Sequence, residues 1–412
     1  MTGSSLPPYI STGEPGSFAE LTLKKRLPDQ IDLVIAQNRL SGRQAHDLID
    51  LKKELDGGVI EDPFGDLPEK KEAFGEEEWA VWEREISRYE GSPWNSVPWY
   101  FAEALFYLKL LLLFGYFDED GSFFRVDPFQ HEKENELFSD TGCIHNMATV
   151  TDLLGGVADP QERLLPLIGC ALWGNRIDLS NKQIARDAGR RILDRDHENI
   201  LVDHSGRLKE LMSGARRVDI VTDNCGTELG CDLLLAECLL ELSGRSRVFF
   251  HLKKYPMFVS DAMEKDVKKT VSAFLREGSP ALMEIGEALS LHMEEGRLVL
   301  CRHGFWNSPL HYTDIPRDLI ETLAASDLVL LKGDVNYRRL LSDRHWPKNS
   351  SMEDIAAYFP ATFAVLRTLK SEIIVDLDEE TAVALDHLDP DWMVNGERGL
   401  IRTVVKRSRP KI

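Results

Sequence analysis

Val218-Asp219-Ile220-Val221-Thr222-Asp223-Asn224-Cys225-Gly226 joins an apolar, β-branched run to a carboxylate, an amide and a glycine. Val, Ile and Thr fit a pleated strand, and Asp-Asn-x-Gly is suited to ending one. Glu228 and the helically spaced apolar residues of Leu229–Leu242 follow directly. A strand passing straight into a helix is the building unit of an α/β sheet. At such a junction a carboxylate and a carbonyl oxygen suit a hard divalent cation. The free N–H groups opening the next helix suit an anion.

Working outward, further β-prone runs occur at Val248–Leu252, Leu298–Cys301, Leu328–Leu331 and Ile373–Val375. Helical patterns at Leu229–Leu242, Ala262–Leu275, Asp318–Ala325 and Met352–Leu369 separate several of them. This alternation predicts right-handed crossovers and a mainly parallel sheet. Ligands then collect at the carboxyl ends of the strands. Asp223-Asn224 ends the first strand, the second leads to Asp261, the fourth ends in Lys332-Gly333-Asp334, and the fifth in Asp376.

Each of these residues also has a plainer role. Asp223 and Asn224 fit an Asx turn capping the next helix. Asp261 with Glu264 fits a capping box, and Asp334 fits a third cap. Their joint placement on one sheet edge favours a shared site. Basic residues add to it: Lys332 ends a strand, Arg338 opens a helix, and Arg367 and Lys370 close the predicted helix 352–369. Basic residues at a helix end also simply satisfy its carbonyls. In an acidic chain, cations aimed at a carboxylate-held metal suit a phosphate monoester.

Before Gly214 the texture differs. Leu21–Asn38, Tyr100–Phe117, Leu164–Leu172 and Asn181–Leu193 read as helices, with Asp56–Glu78 as loop and short helix. The expected organisation is a flexible N-terminus (1–17), a mostly helical domain (18–210), and an α/β/α catalytic domain (211–412). The 412 residues carry 49 Lys and Arg against 69 Asp and Glu, a net charge of −20. Non-specific binding to nucleic acid or anionic membranes is therefore not expected. The Gly/Ser/Pro-rich start lacks the charged and apolar regions of a signal peptide. The greasiest stretch, Leu108–Phe117, contains Lys109 and is about half of a membrane span. A soluble, cytoplasmic protein is expected, with the nucleus left open. Cys143, Cys170, Cys225, Cys231, Cys238 and Cys301 form no Cys-x-x-Cys pair and read as reduced thiols.

Asp223-Asn224-Cys225-Gly226-x-Glu228, then Phe258-Val259-Ser260-Asp261, then Lys332-Gly333-Asp334-Val335-Asn336-Tyr337-Arg338 resemble the metal-dependent damage-control phosphatases. Arg367-Thr368-x-Lys370 resembles the Arg-Thr-x-Lys signature of that family's subfamily III, sugar-phosphate phosphatases also described as acidic-residue (glutamate) O-methyltransferases. Phe18-Ala19-Glu20-x-Thr22 with Arg26-Leu27-Pro28, Pro98 to Glu103, and Leu172 to Ser180 agree, so the likeness runs from about Phe18 to Lys406.

The resemblance implies a helical N-terminal region on a Rossmann-like α/β/α core. It implies that Asp223, Asn224 and Asp261 hold Mn²⁺, Mg²⁺, Co²⁺ or Ni²⁺, with Glu228 as a further catalytic residue. It also implies that Asp334, Asn336, Tyr337, Arg338 and Lys370 face a small phosphorylated metabolite such as fructose 1-phosphate. Lys332, Arg367 and Asn307 are added as candidate substrate contacts. Trp99, Glu103, Asn175, Asp178 and Trp306 are candidate pocket walls, each equally suited to packing or buried hydrogen bonding. Cys225, Val335 and Leu108 depart from the residues expected in relatives. Oligomeric state is left open. The alternative function is an S-adenosylmethionine-dependent protein-glutamate methyltransferase, against which the first strand is followed by Asp-Asn-Cys-Gly rather than a glycine-rich cofactor loop.

Overall fold

In the computed structural model, residues 6–65, 74–174 and 199–406 are described. The seven strands are β1 (Ile200–Asp203), β2 (Arg217–Val221), β3 (Arg247–Leu252), β4 (Leu298–Arg302), β5 (Leu328–Lys332), β6 (Phe363–Thr368) and β7 (Gly399–Val404). They form one sheet in the order β1-β7-β6-β5-β2-β3-β4. Five strands, β6-β5-β2-β3-β4, are mutually parallel. β7 pairs antiparallel with β6 and parallel with β1.

The central strands are apolar on both faces, as a helix-covered parallel sheet requires. Alternate residues go to opposite layers. Leu328, Leu330, Ala364 and Leu366 join one buried cluster, and Val329, Leu331, Phe363 and Val365 the other. The first cluster includes helices α1 (Cys143–Leu154), α2 (Pro160–Trp173), α3 (Thr227–Leu242) and α4 (Glu264–Glu277). Two of these precede residue 210. The segment read as part of a separate helical domain therefore covers one face of the sheet, and β1 belongs to the sheet as well. A third cluster, from Leu23 to Phe129 with Tyr255 and Met257, is the true N-terminal helical layer. Its long helix Trp99–Phe114 buries Lys109 against Glu54 at 2.5 Å. No helix among the described residues is long and apolar enough to cross a membrane.

Three expectations need correction. Residues 352–369 are not one helix: only Met352–Ile355 is helical, and Phe363–Thr368 is strand β6. Pro360 stops helix propagation, and the short run Phe363-Ala364-Val365-Leu366 is apolar in either conformation. Ile373–Val375 is buried loop rather than strand, with Val375 N–H donating to Tyr337 Oη at 3.0 Å. Consequently Asp376 does not end a strand at the cavity; it accepts from Met352 N–H at 3.1 Å and from Arg402 Nε at 2.5 Å. Third, residues 6–17 are not a free tail. Ile10 N–H donates to Asp343 O at 2.8 Å, and Trp99 N–H to Ile10 O at 2.9 Å. The predicted helix Asn181–Leu193, and candidates Asn175 and Asp178, lie outside the described residues.

Leu330 lies fully buried on the central strand β5. Leu330→Ala is expected to lower stability by about 2–5 kcal/mol, read as a shifted denaturation midpoint; an unchanged midpoint would contradict its place in the core.

Candidate active site

The segments after β2 and β3 meet edge to edge. Asn224 and Asp261 form an antiparallel bridge, with Cys225 N–H donating to Ser260 O at 2.7 Å and Ala262 N–H to Asp223 O at 2.8 Å. This pairing, absent from any linear reading, brings the three predicted metal-site residues together. Asn224 Nδ2 donates to Asp223 Oδ2 at 2.9 Å and to Glu228 Oε2 at 3.0 Å, while Ser260 Oγ donates to Asn224 Oδ1 at 2.5 Å. None of these residues is spent on a cap. The N–H of Thr227, first in α3, donates to Glu136 Oε1 at 3.2 Å, and the turn before α4 is closed by Asp266 rather than by Asp261 with Glu264.

Gly333 permits the closest approach at the site. Its φ is +79°, and a Cβ there would stand 1.9 Å from Asp223 Oδ2. Phe258 and Val259, just before Ser260, also have positive φ, +48° and +66°. For a β-branched residue this is strained backbone, and such strain concentrates at functional sites.

A cavity of about 290 Å³ opens at this edge. Asp223, Asn224, Asp261, Asp334, Arg338 and Lys370 line it together with Arg26, Gln30, Trp99 and Glu103 from the N-terminal layer. The buried Arg338 guanidinium is caged: it gives Glu103 a 2.7 Å bond, Asp343 two 2.9 Å bonds, and lies 3.4 Å from the Trp99 ring centroid. Lys370 is exposed, and its ammonium has no hydrogen bond or ion pair among the described residues. The Trp99 indole N–H and Gln30 Oε1 are buried without a hydrogen-bond partner among the described residues.

Other predicted substrate residues stand behind this wall. Arg367, on β6 rather than at a helix end, is fully buried and donates to Asp334 Oδ1 at 2.7 Å and to Ser371 O at 3.0 Å. Lys332 Nζ lies 3.0 Å from both Glu228 and Asp232 and donates to Ala171 O at 2.5 Å. Asn336 donates to Lys332 O at 2.8 Å and accepts from Tyr312 Oη, and Tyr337 lies under Arg367. Asn307 is fully buried beyond the cavity, accepting from Lys254 N–H at 2.7 Å and donating to Tyr255 O at 2.8 Å. The structure does not bring Asn307, Asn336, Tyr337, Arg367 or Lys332 to the cavity surface, because each is satisfied within the scaffold. Trp306 is likewise buried packing.

Two lysines were missed by the sequence reading. Lys253 Nζ lies 3.1 Å from Asp261 Oδ2 and donates to Trp306 O at 2.6 Å. Lys133 Nζ donates to Asp261 O at 2.9 Å and to Asp266 Oδ2 at 2.8 Å. Lys253 carried a signal in following β3 directly; Lys133 carried none.

Burial, then the charges of Glu228 and Asp261, push the Asp223 carboxyl well above the ordinary range. Burial also raises Asp261, with Lys253 pulling the other way. Crowded carboxylates of this kind favour bound positive charge. Among the described residues no three His, Cys, Asp or Glu side chains form a ready-made metal cluster. The donor set is instead two carboxylates and an amide, Asp223, Asp261 and Asn224. All are hard oxygen donors, and they fit a divalent ion.

Burial alone would raise Asp334, but Arg367 and then Arg338 hold it below its ordinary value. Its stabilisation is therefore complete above the ordinary carboxylate value and lost as pH falls through the lower folded one. Asp334→Asn is expected to cost about 3 kcal/mol at neutral pH, the gap from the parent narrowing in strong acid; a pH-independent gap would rule this out. Gly333→Ala is expected to cost about 1–3 kcal/mol through its left-handed backbone and the Asp223 contact. Equal denaturation midpoints would count against that close approach.

Comparison with known proteins finds relatives along most of the chain. The Damage-control phosphatase ARMT1-like domain model matches residues 23–385. Damage-control phosphatase ARMT1 of Danio rerio is 30% identical, covering 96% of this chain and 97% of its own. The Mus musculus protein of the same name is 28% identical, covering 96% and 98%. A crystal structure of a DUF89 family protein from Pyrococcus horikoshii aligns over 92% of this chain and 97% of its own, with TM-score 0.49 and 16% identity. With the model match spanning most of its length, this chain belongs to the damage-control phosphatase ARMT1-like family, a family of phosphatases.

Proposed function

We propose that this protein is a metal-dependent phosphatase that hydrolyses small phosphorylated metabolites, sugar phosphates such as fructose 1-phosphate among them, in a house-cleaning role. One observation carries the reading: the cavity that presents Asp223, Asn224 and Asp261 is also lined by Arg26, Arg338 and Lys370. An oxygen-donor cation site beside positive charge matches a phosphoryl group on both counts.

Mn²⁺, Mg²⁺, Co²⁺ or Ni²⁺ held by Asp223, Asn224 and Asp261 would supply charge neutralisation and Lewis acidity. The protein's own groups do the remainder. Lys370 binds the phosphoryl oxygens as charge builds on them. Arg338, fixed by two carboxylates and the Trp99 ring, gives a cationic wall that cannot swing away. Glu228 has both oxygens engaged, by Asn224 and Lys332, so its part is to hold the Asn224 amide in place. Asp261 orients the attacking water. That water's oxygen bonds to phosphorus as the bond from phosphorus to the sugar oxygen breaks. The sugar leaves as an alcohol after taking a proton, and inorganic phosphate remains.

The test is phosphate release from a panel of phosphomonoesters after chelation, then with each of the four metals restored. Release should vanish on chelation and return with metal. Asp261→Ala should lower kcat/KM by at least about 10²–10³-fold, and Lys370→Met by about 10²-fold. Retained turnover in Asp261→Ala would sink the assignment. No release with any metal from folded protein would turn attention to the methyltransferase reading.

A further inference from the structure

A second cavity, of about 520 Å³, lies beyond Lys253 at the same carboxyl edge of the sheet. Lys253 and Lys254 follow β3 directly, Arg302 ends β4, and Lys265 and Lys268 come from the first turns of α4. With Arg125, these give six cationic side chains in the lining against two carboxylates, Glu119 and Glu264. The chain as a whole has the opposite balance, 49 basic to 69 acidic residues. Such local reversal in a concave site focuses positive potential.

Not all six charges are available. Lys253 is committed to Asp261, Lys254 to Glu78 at 2.7 Å, and Lys265 to Asp127 at 2.9 Å. The other three are poorly matched. Lys268 and Arg302 share the single carboxylate of Glu264, at 2.6 and 3.1 Å. Arg125 has no carboxylate partner among the described residues, and its guanidinium lies 4.9 Å from the Phe124 ring centroid. All three are exposed. The remaining wall is largely aromatic, from Tyr116, Phe117, Phe124 and Tyr255. The volume falls in the range of small-molecule sites, and cations that share a lining with aromatic side chains suit an anion attached to a flat ring.

We propose that this cavity is a second binding site, separate from the catalytic one, for a small organic polyanion that carries a flat ring. Arg125, Lys268 and Arg302 contact its charges, and the aromatic wall contacts its ring. Its occupant is held without chemistry, since the nearest candidate catalytic group, Asp261, faces the other cavity and is separated by Lys253.

ADP, which has both parts, serves as the probe in calorimetric titration of the full chain after chelation, at two salt concentrations. Saturable binding that weakens with salt is expected. The double variant Lys268→Ala/Arg302→Ala, and separately Arg125→Ser, should each weaken it by tenfold or more. Lys370→Met, which alters only the catalytic cavity, should bind as the parent does, which places ADP outside that cavity whether or not the phosphatase reading stands. The surface variants should retain parental metal-dependent turnover without ADP. No saturable binding would overturn the proposal. So would binding lost in Lys370→Met yet kept in the surface variants, which would put the anion in the catalytic cavity.

Discussion

Burying charge without leaving it unpaired is the constraint on which this structure turns. The carboxyl edge of the sheet holds Glu228, Asp232, Asp261, Asp334 and Asp343 buried, with Asp223 half-buried beside them. An isolated buried charge is prohibitively costly, and a buried pair roughly breaks even only with good geometry. All but Asp223 are accordingly answered by a cation. Lys332 serves Glu228 and Asp232, Lys253 serves Asp261, Arg367 serves Asp334, and Arg338 serves Glu103 and Asp343. Asp223 stands apart, reached by the Asn224 amide but, among the described residues, by no cationic side chain at bonding distance. Burial and the neighbouring carboxylates Glu228 and Asp261 press it toward neutrality, an environment that favours positive charge beside it.

The same network separates scaffold from reactive surface. A guanidinium held by two carboxylates, such as Arg338, is a fixed electrostatic wall. An exposed ammonium such as Lys370 can follow a substrate. Preorganised charge of the first kind costs no reorganisation when a transition state forms. The N-terminal layer takes part through this network: Glu103 and Trp99 hold Arg338, and the segment around Ile10 pins the backbone of Asp343 and Trp99. The helical layer is therefore a structural component of the cavity rather than an appended domain.

Much of this was legible in the chain. The strand-to-carboxylate junction at Val218–Gly226, the two strands that follow it and the strand Leu328–Lys332 stand where their residue pattern put them. Residues 352–369 did not, because a four-residue apolar run has no period that distinguishes helix from strand. Strands β1 and β7 escaped notice, since β1 is a four-residue edge strand and its pairing with β7 joins segments nearly the whole domain apart in sequence. Among the site candidates, Asp223, Asn224, Asp261, Asp334, Arg338 and Lys370 line one cavity. Asn307, Asn336, Tyr337 and Arg367 are polar residues in the right neighbourhood whose hydrogen bonds are consumed by the scaffold.

The sequence by itself determined the sheet-forming units, the oxygen-rich chemistry at their ends and the family likeness, because strand propensity, turn residues and motif order are local properties. Only the tertiary structure decided which of those groups meet. The bridge between Asn224 and Asp261 joins two loops 37 residues apart. The left-handed Gly333 lets one loop press on Asp223. Partnering is a property of three-dimensional neighbours, and it alone separates a lysine buried for balance, Lys332, from one left exposed at the cavity, Lys370.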